Sequence, residues 1–260
     1  MRGEAVVPNV ITYNALISAC SRCGDPERAL ELVEQMQVAN ILPNVITYTA
    51  LISACEVGKH TERVWQIVEE MRCRRLALDA VAYNKTISVC AKGANPRRAL
   101  GLLGEMRAQE LAPTVVTYGA ALSACERGRL PDEALQLFEQ MLSEDLRPNL
   151  IVYSAAISAC EMGMQPRRAL ELFERLRGGG LSPDVMAFNA AIRACEKGSQ
   201  PERAAALLEQ MQRAGLRPDF ISYKSLVSAL TRGGQPKRAA SVHRALGAGT
   251  RPGEAPAGAR

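Results

Sequence analysis

Cysteine recurs at positions 20, 55, 90, 125, 160 and 195, always 35 residues apart. An aromatic keeps the same interval at Tyr13, Tyr48, Tyr83, Tyr118, Tyr153, Phe188 and Tyr223. So does a small side chain at Ala29, Ala99, Ala134, Ala169, Ala204 and Ala239, with Val64 in the one remaining place. A fixed period of this length marks stacked supersecondary units, each too small to bury its apolar face alone. The 260 residues are therefore about seven copies of one unit rather than a core assembled from distant segments.

The block 10–44 predicts what each copy folds into. Tyr13, Leu16, Ile17 and Cys20 follow the i, i+3, i+4, i+7 spacing of an apolar helical stripe. Gly24 interrupts it, and Gly58, Gly93, Gly128, Gly163, Gly198 and Gly233 stand one place earlier in their blocks. Glycine there predicts the left-handed residue that closes a helix. Pro26, Pro96, Pro131, Pro166, Pro201 and Pro236 suit the first turn of a second helix, where a missing N–H is harmless. Ala29, Leu30, Leu32, Val33 and Met36 form its stripe, which ends before Leu42-Pro43-Asn44. The units run 10–44, 45–79, 80–114, 115–149, 150–184, 185–219 and 220–246. Residues 1–9 close on Pro8-Asn9 as later units do, so a remnant of a preceding repeat is expected there, with no room for a targeting peptide. Residues 247–260 lack periodicity and are expected to be a disordered tail.

Composition narrows the function classes. A net charge of +5, from 32 basic and 27 acidic residues, permits a polyanionic partner without demanding one. No apolar run approaches the ~18 residues of a membrane span, so no membrane partner is expected. Cysteines a whole repeat apart are expected as small buried hydrophobes in a reducing compartment, not as disulfides. Cys20 and Cys23 form a C-x-x-C without a second ligand pair, so neither zinc nor redox chemistry is expected. His60 and His243 begin no H-x-E, and no G-x-S-x-G or phosphate loop is present. No metal, cofactor or enzymatic activity is expected from this chain.

Three columns of the repeat stand apart from the core. The residue after the aromatic varies (Asn14, Thr49, Asn84, Gly119, Ser154, Asn189, Lys224) while its neighbours hold to pattern. All but glycine can hydrogen bond to a partner, although Asn, Ser and Thr near a helix start also suit capping. Three places earlier lies an apolar residue: Ile11, Ile46, Val81, Val116, Ile151, Met186 and Ile221. Packing between repeats is an ordinary role for such a column, compatible with a contact to a partner. The end of the first helix carries Arg22, Lys92, Arg127, Lys197 and Arg232, with Val57 and Met162 as exceptions. Those cations suit a helix C-terminus as well as a phosphate.

The segments VITYNALISAC…PERALELVEQM…ILPN and VMAFNAAIRACEKG…PERAAALLEQMQRAGLRPD resemble the pentatricopeptide repeat family, over about residues 8–246. Tetratricopeptide repeats run 34 residues with a W-x-x-L-G-x-x-Y opening, which is absent here; the one tryptophan, Trp65, lies in a second helix. The resemblance implies a right-handed superhelical α-solenoid of stacked helix–turn–helix repeats. It implies a monomer that binds single-stranded RNA, one base per repeat, in the mitochondrion or chloroplast. RNA processing, stability or translation would be the process served, with processing factors or other proteins as further partners. The selector pairs it implies are Asn14/Asn44, Thr49/Asp79, Asn84/Thr114, Gly119/Asn149, Ser154/Asp184 and Asn189/Asp219; Lys224 lacks a closing residue. The apolar column would sandwich bases, and the basic column would hold phosphates. The implied target lies near 5′-C-G-Y-R-G-U-3′ when the N-terminus faces the 5′ end. The rival is a scaffold solenoid gripping a peptide or partner protein, since fold does not fix function.

Overall fold

A computed structural model describes residues 8–58 and 60–247, and the expectations for the remnant at 1–7 and the tail at 248–260 lie outside them. The described residues form fourteen α-helices and no strand, an all-α solenoid of stacked helix–turn–helix repeats. Odd-numbered helices open the repeats: α1 (Val10–Cys23), α3 (Val45–Val57), α5 (Ala80–Lys92), α7 (Val115–Arg127), α9 (Leu150–Met162), α11 (Val185–Lys197) and α13 (Phe220–Arg232). Even-numbered helices complete them: α2 (Pro26–Val38), α4 (Thr61–Cys73), α6 (Pro96–Ala108), α8 (Pro131–Ser143), α10 (Pro166–Gly178), α12 (Pro201–Arg213) and α14 (Pro236–Gly247). Proline opens every second helix except α4, which starts at Thr61.

The chain divides into two compact units, Met1–Gly128 and Arg129–Arg260. In the first, α1, α3, α5 and α7 pack in sequence, while α2, α4 and α6 each lie between the two first helices flanking them. In the second, α9, α11 and α13 form the row, with α8, α10, α12 and α14 against them. Successive second helices meet through side chains, as where Arg72 of α4 pairs with Glu105 of α6 and Arg238 of α14 with Glu202 of α12, each at 2.8 Å, and their backbones stay farther apart than those of the first helices. The first helices therefore stand side by side, and their N-terminal ends share one edge of each unit.

The periodic residues make the core. Ala29, Val64, Ala99, Ala134, Ala169 and Ala204 are fully buried, as are Tyr48 and Tyr118. In the first repeat the expected stripe is incomplete: Leu16 is exposed and Tyr13 only half-buried. Among the described residues α1 has a neighbouring first helix on one side only. Cys20 is half-buried for the same reason, whereas Cys55, Cys90, Cys125, Cys160 and Cys195 are buried. Burial pushes the thiols of Cys55, Cys160 and Cys195 up to about 11 and that of Cys90 to about 12. At neutral pH, alkylation of the folded protein should reach Cys20, Cys23 and Cys73 at least about a hundredfold faster than the buried five. Equal rates for all eight, followed by mass spectrometry, would contradict this packing.

The glycine expectation needs correction. Gly24 is left-handed, at φ 68°. Gly58, Gly93, Gly128, Gly163, Gly198 and Gly233 instead keep φ between −70° and −86°. The left-handed residue comes one place later, at Ala94, Arg129, Met164, Ser199 and Gly234. What these glycines provide is room. A Cβ on Gly58 would lie 2.8 Å from a Pro26 ring carbon, and on Gly128 or Gly233 2.4 Å from Pro96 or Pro201. Each glycine thus meets the proline that opens the second helix of the preceding repeat. Gly93 is the exception, because it faces Thr61 with 3.8 Å to spare.

Candidate nucleic-acid interface

The paired columns meet at the N-terminal edge of the first helices. Each closing residue is an N-cap in extended backbone. Its side-chain oxygen accepts the N–H three residues on: Asn44 from Thr47, Asp79 from Ala82, Thr114 from Thr117, Asn149 from Val152, Asp184 from Ala187 and Asp219 from Ser222. The residues after the aromatics cap nothing; they lie inside the first helix. In three of the pairs the two columns touch directly. Asn14 Nδ2 donates to Asn44 Oδ1 at 3.4 Å, Thr49 Oγ1 to Asp79 Oδ1 at 3.3 Å, and Asn189 Nδ2 to both Asp219 oxygens at 3.1 Å. Burial pushes the Asp219 carboxyl up, but bonds from Ser222 and Asn189 outweigh it and hold it below its ordinary range. Asn84 accepts instead from Thr117, and Ser154 Oγ is a buried hydroxyl with no hydrogen-bond partner among the described residues. Gly119 is buried and Lys224 exposed.

One helical turn before these residues, on the same face, lies the apolar column. Ile11, Ile46, Val81, Val116, Ile151, Met186 and Ile221 are 44% to 72% exposed. Inter-repeat packing does not account for side chains left that open, because burial is what makes such packing favourable.

The basic column is more constrained than its spacing suggested. Lys92 Nζ donates to the Glu56 backbone oxygen at 3.2 Å and to its carboxylate at 3.1 Å. Lys197 does the same to Glu161, at 2.8 Å and 2.7 Å. The Arg232 guanidinium lies 3.8 Å from Glu196. Lys85 and Ser88 also hold Glu56, Arg193 holds Glu161, and Ser228 holds Glu196. Burial pushes the Glu56 carboxyl up, but donation from Lys85, Ser88 and Lys92 keeps it below its ordinary range. These glutamates are a column that sequence reasoning missed, although Glu56, Glu126, Glu161 and Glu196 follow the periodic cysteines at the same 35-residue interval. Glu56, Glu161 and Glu196 stand 36 residues before Lys92, Lys197 and Arg232, whereas Glu126 stands 36 before Met162. At that distance Ser21 precedes Val57 and Ala91 precedes Arg127, so neither has a carboxylate of this column behind it. Arg22 and Arg127 are exposed, and Arg127 shares a cleft with Lys92 and Glu56.

Comparison with known proteins covers nearly the whole chain. The PPR repeat family matches residues 8–57, a PPR repeat residues 46–76, and the pentatricopeptide repeat domain residues 66–127. The pentacotripeptide-repeat region of PRORP matches residues 122–255. No curated protein sequence matches significantly. Among solved structures, the pentatricopeptide repeat protein PPR10, in complex with an 18-nt psaJ RNA element, superposes with a TM-score of 0.80 at 24% identity. That match covers 95% of this chain and 36% of PPR10, so the chain spans about a third of that relative. The PPR domain of Arabidopsis thaliana protein-only RNase P 1, in complex with tRNA, superposes at 0.55 and 15% identity, covering 65% of this chain and 90% of that domain. Nuclear proteinaceous RNase P 2 from the same plant gives 0.58 at 15%, with 65% and 39% covered.

Proposed function

Because this chain belongs to the pentatricopeptide repeat family, we propose that it binds single-stranded RNA along the N-terminal ends of its first helices, one base per repeat. The observation that carries this reading is the exposed apolar column one turn from hydrogen-bonding pairs, an arrangement suited to holding a base by its faces and reading its edge. The pairs Asn14/Asn44, Thr49/Asp79, Asn84/Thr114, Gly119/Asn149, Ser154/Asp184 and Asn189/Asp219 are assigned as selectors. RNA-bound PPR10 and the tRNA-bound RNase P domain support an RNA partner. Organellar RNA processing, stability or translation is the process we assign. We read the repeats as binding and presenting RNA rather than cleaving it.

Glu56 and Glu161 engage Lys92 and Lys197 within the protein, and Glu196 lies 3.8 Å from Arg232, so we assign the phosphate contacts to Arg22 and Arg127, which have no carboxylate of that column behind them. Two single-strand contacts give a slope of log affinity against log salt of about −1.4, against about −3.5 for all five. Titration of an RNA containing CGYRGU, the same DNA and a scrambled RNA tests both points. The RNA should bind tightest, Arg127→Ala should flatten the slope by about 0.7, and Lys92→Ala should barely change it. Equal affinity for RNA and DNA of any sequence would overturn the proposal and favour a protein-binding scaffold.

A further inference from the structure

We propose that a hydroxyl in the following repeat is a third specificity-determining element: Thr47, Thr117 and Ser222 fix the side-chain amides of the selectors Asn14, Asn84 and Asn189. The inference rests on the RNA reading above and adds a positioning residue to it.

The geometry assigns each hydrogen. The Oγ of Thr47, Thr117 and Ser222 accepts the backbone N–H of the N-cap residue at 3.1, 2.9 and 3.1 Å. A hydroxyl has one proton to give. Its nearest acceptor is the selector Oδ1, at 2.6 Å in Asn14, 2.5 Å in Asn84 and 2.6 Å in Asn189. The N-cap oxygens are farther, at 3.1, 3.2 and 3.0 Å. All three hydroxyls are fully buried, so water does not compete for them. With its oxygen engaged, the amide turns its NH₂ towards the cap, as Asn14 and Asn189 do. The cap takes this donation, from Asn189 to both Asp219 oxygens, and we assign the remaining N–H to a ligand, at side chains 9% (Asn14) and 2% (Asn189) exposed in the free protein. An amide turned over would oppose its oxygen to the Asp219 carboxylate and give up the short hydroxyl bond, leaving the hydroxyl proton only the longer bond to the N-cap oxygen. The lock therefore makes an asparagine selector a donor rather than an acceptor.

The chain's own sequence separates this role from capping. Each asparagine selector has a hydroxyl 33 residues later: Asn14 with Thr47, Asn84 with Thr117, Asn189 with Ser222. The other selectors never do, for Thr49 is followed by Ala82, Gly119 by Val152 and Ser154 by Ala187. A hydroxyl selector rotates to suit its partner, and glycine has nothing to orient, so neither needs a lock. Capping does not require the hydroxyl either. Asp79, Asn149 and Asp184 cap α5, α9 and α11 with alanine or valine in that place.

The test uses the whole chain and four RNAs differing only in the base opposite the repeat of Asn189. Ser222→Ala should cut the base preference at that nucleotide at least fivefold and leave the ranking at other nucleotides intact. Ser222→Thr, which keeps the hydroxyl, should retain the preference. In an Asn189→Thr background Ser222→Ala should change nothing, since that combination copies Thr49 with Ala82. Thr47→Val repeats the test at Asn14, and circular dichroism confirms folding, which the natural alanines and valine at this place favour. Full preference in Ser222→Ala and Thr47→Val, with the wild type selective, would overturn the lock alone. A wild type without base preference at any repeat would overturn the RNA reading and the lock together.

Discussion

Asn189→Thr is expected to turn the preference of one repeat from uracil towards guanine, with a discrimination of about 1–3 kcal/mol. The change copies a solution already present in the chain. Thr49 donates its hydroxyl to Asp79, just as Asn189 donates its amide to Asp219. Both acceptors are N-caps held by their own helix, so the substitution alters the donor and leaves the acceptor in place. Folding should barely register it, because Ser222 keeps Asp219 Oδ1 within 3.0 Å when it loses Asn189 as an acceptor. The other nucleotides should keep their ranking, since each repeat contacts only its neighbours. Affinities for RNAs carrying each base at this position decide the matter. A uniform weakening with no change of preference would remove the pair from the selector set.

Gly128→Ala and Gly93→Ala should shift stability in opposite directions although they occupy the same place in the repeat. At Gly128 the new methyl would lie 2.4 Å from Pro96 Cγ and 2.6 Å from Cδ, both in a rigid ring. Overpacking of this kind costs about 1–3 kcal/mol. At Gly93 the nearest side chain is Thr61 at 3.8 Å, and φ is −86°, which alanine adopts freely. Alanine there removes freedom from the unfolded chain and should stabilise by about 0.4–1 kcal/mol. Urea denaturation of both variants, with Gly128→Ala repeated in a Pro96→Ala background, separates crowding from backbone effects. Equal destabilisation at both sites would mean that the backbone, not the proline ring, requires glycine.

Much of the fold was legible because its determinants are local. Tyr48 to Cys55, the proline at the start of α6 and the N-cap at Asp79 each act within one or two turns of their own helix. The period then places equivalent residues in columns without any tertiary information. Gly58 and its equivalents were misassigned for the opposite reason. A glycine at a helix end is compatible with a left-handed turn or with a close neighbour, and the neighbour, Pro26, belongs to another repeat. Thr47 and Ser222 were passed over because a hydroxyl three residues after an N-cap has a sufficient local explanation in the capping box.

The sequence by itself determined the helical hairpin, the 35-residue repeat and the columns that carry polar, apolar and basic side chains. Only the tertiary structure decided which columns face each other. Glu56 meets Lys92 across 36 residues, Ser222 meets Asn189 across 33, and Gly128 meets Pro96 across 32. A strict period repeats every such offset equally and favours none of them. The offset that becomes a contact is set by how far one hairpin is shifted and turned against the next, and that is fixed by packing the buried faces, not by the order of residues within them.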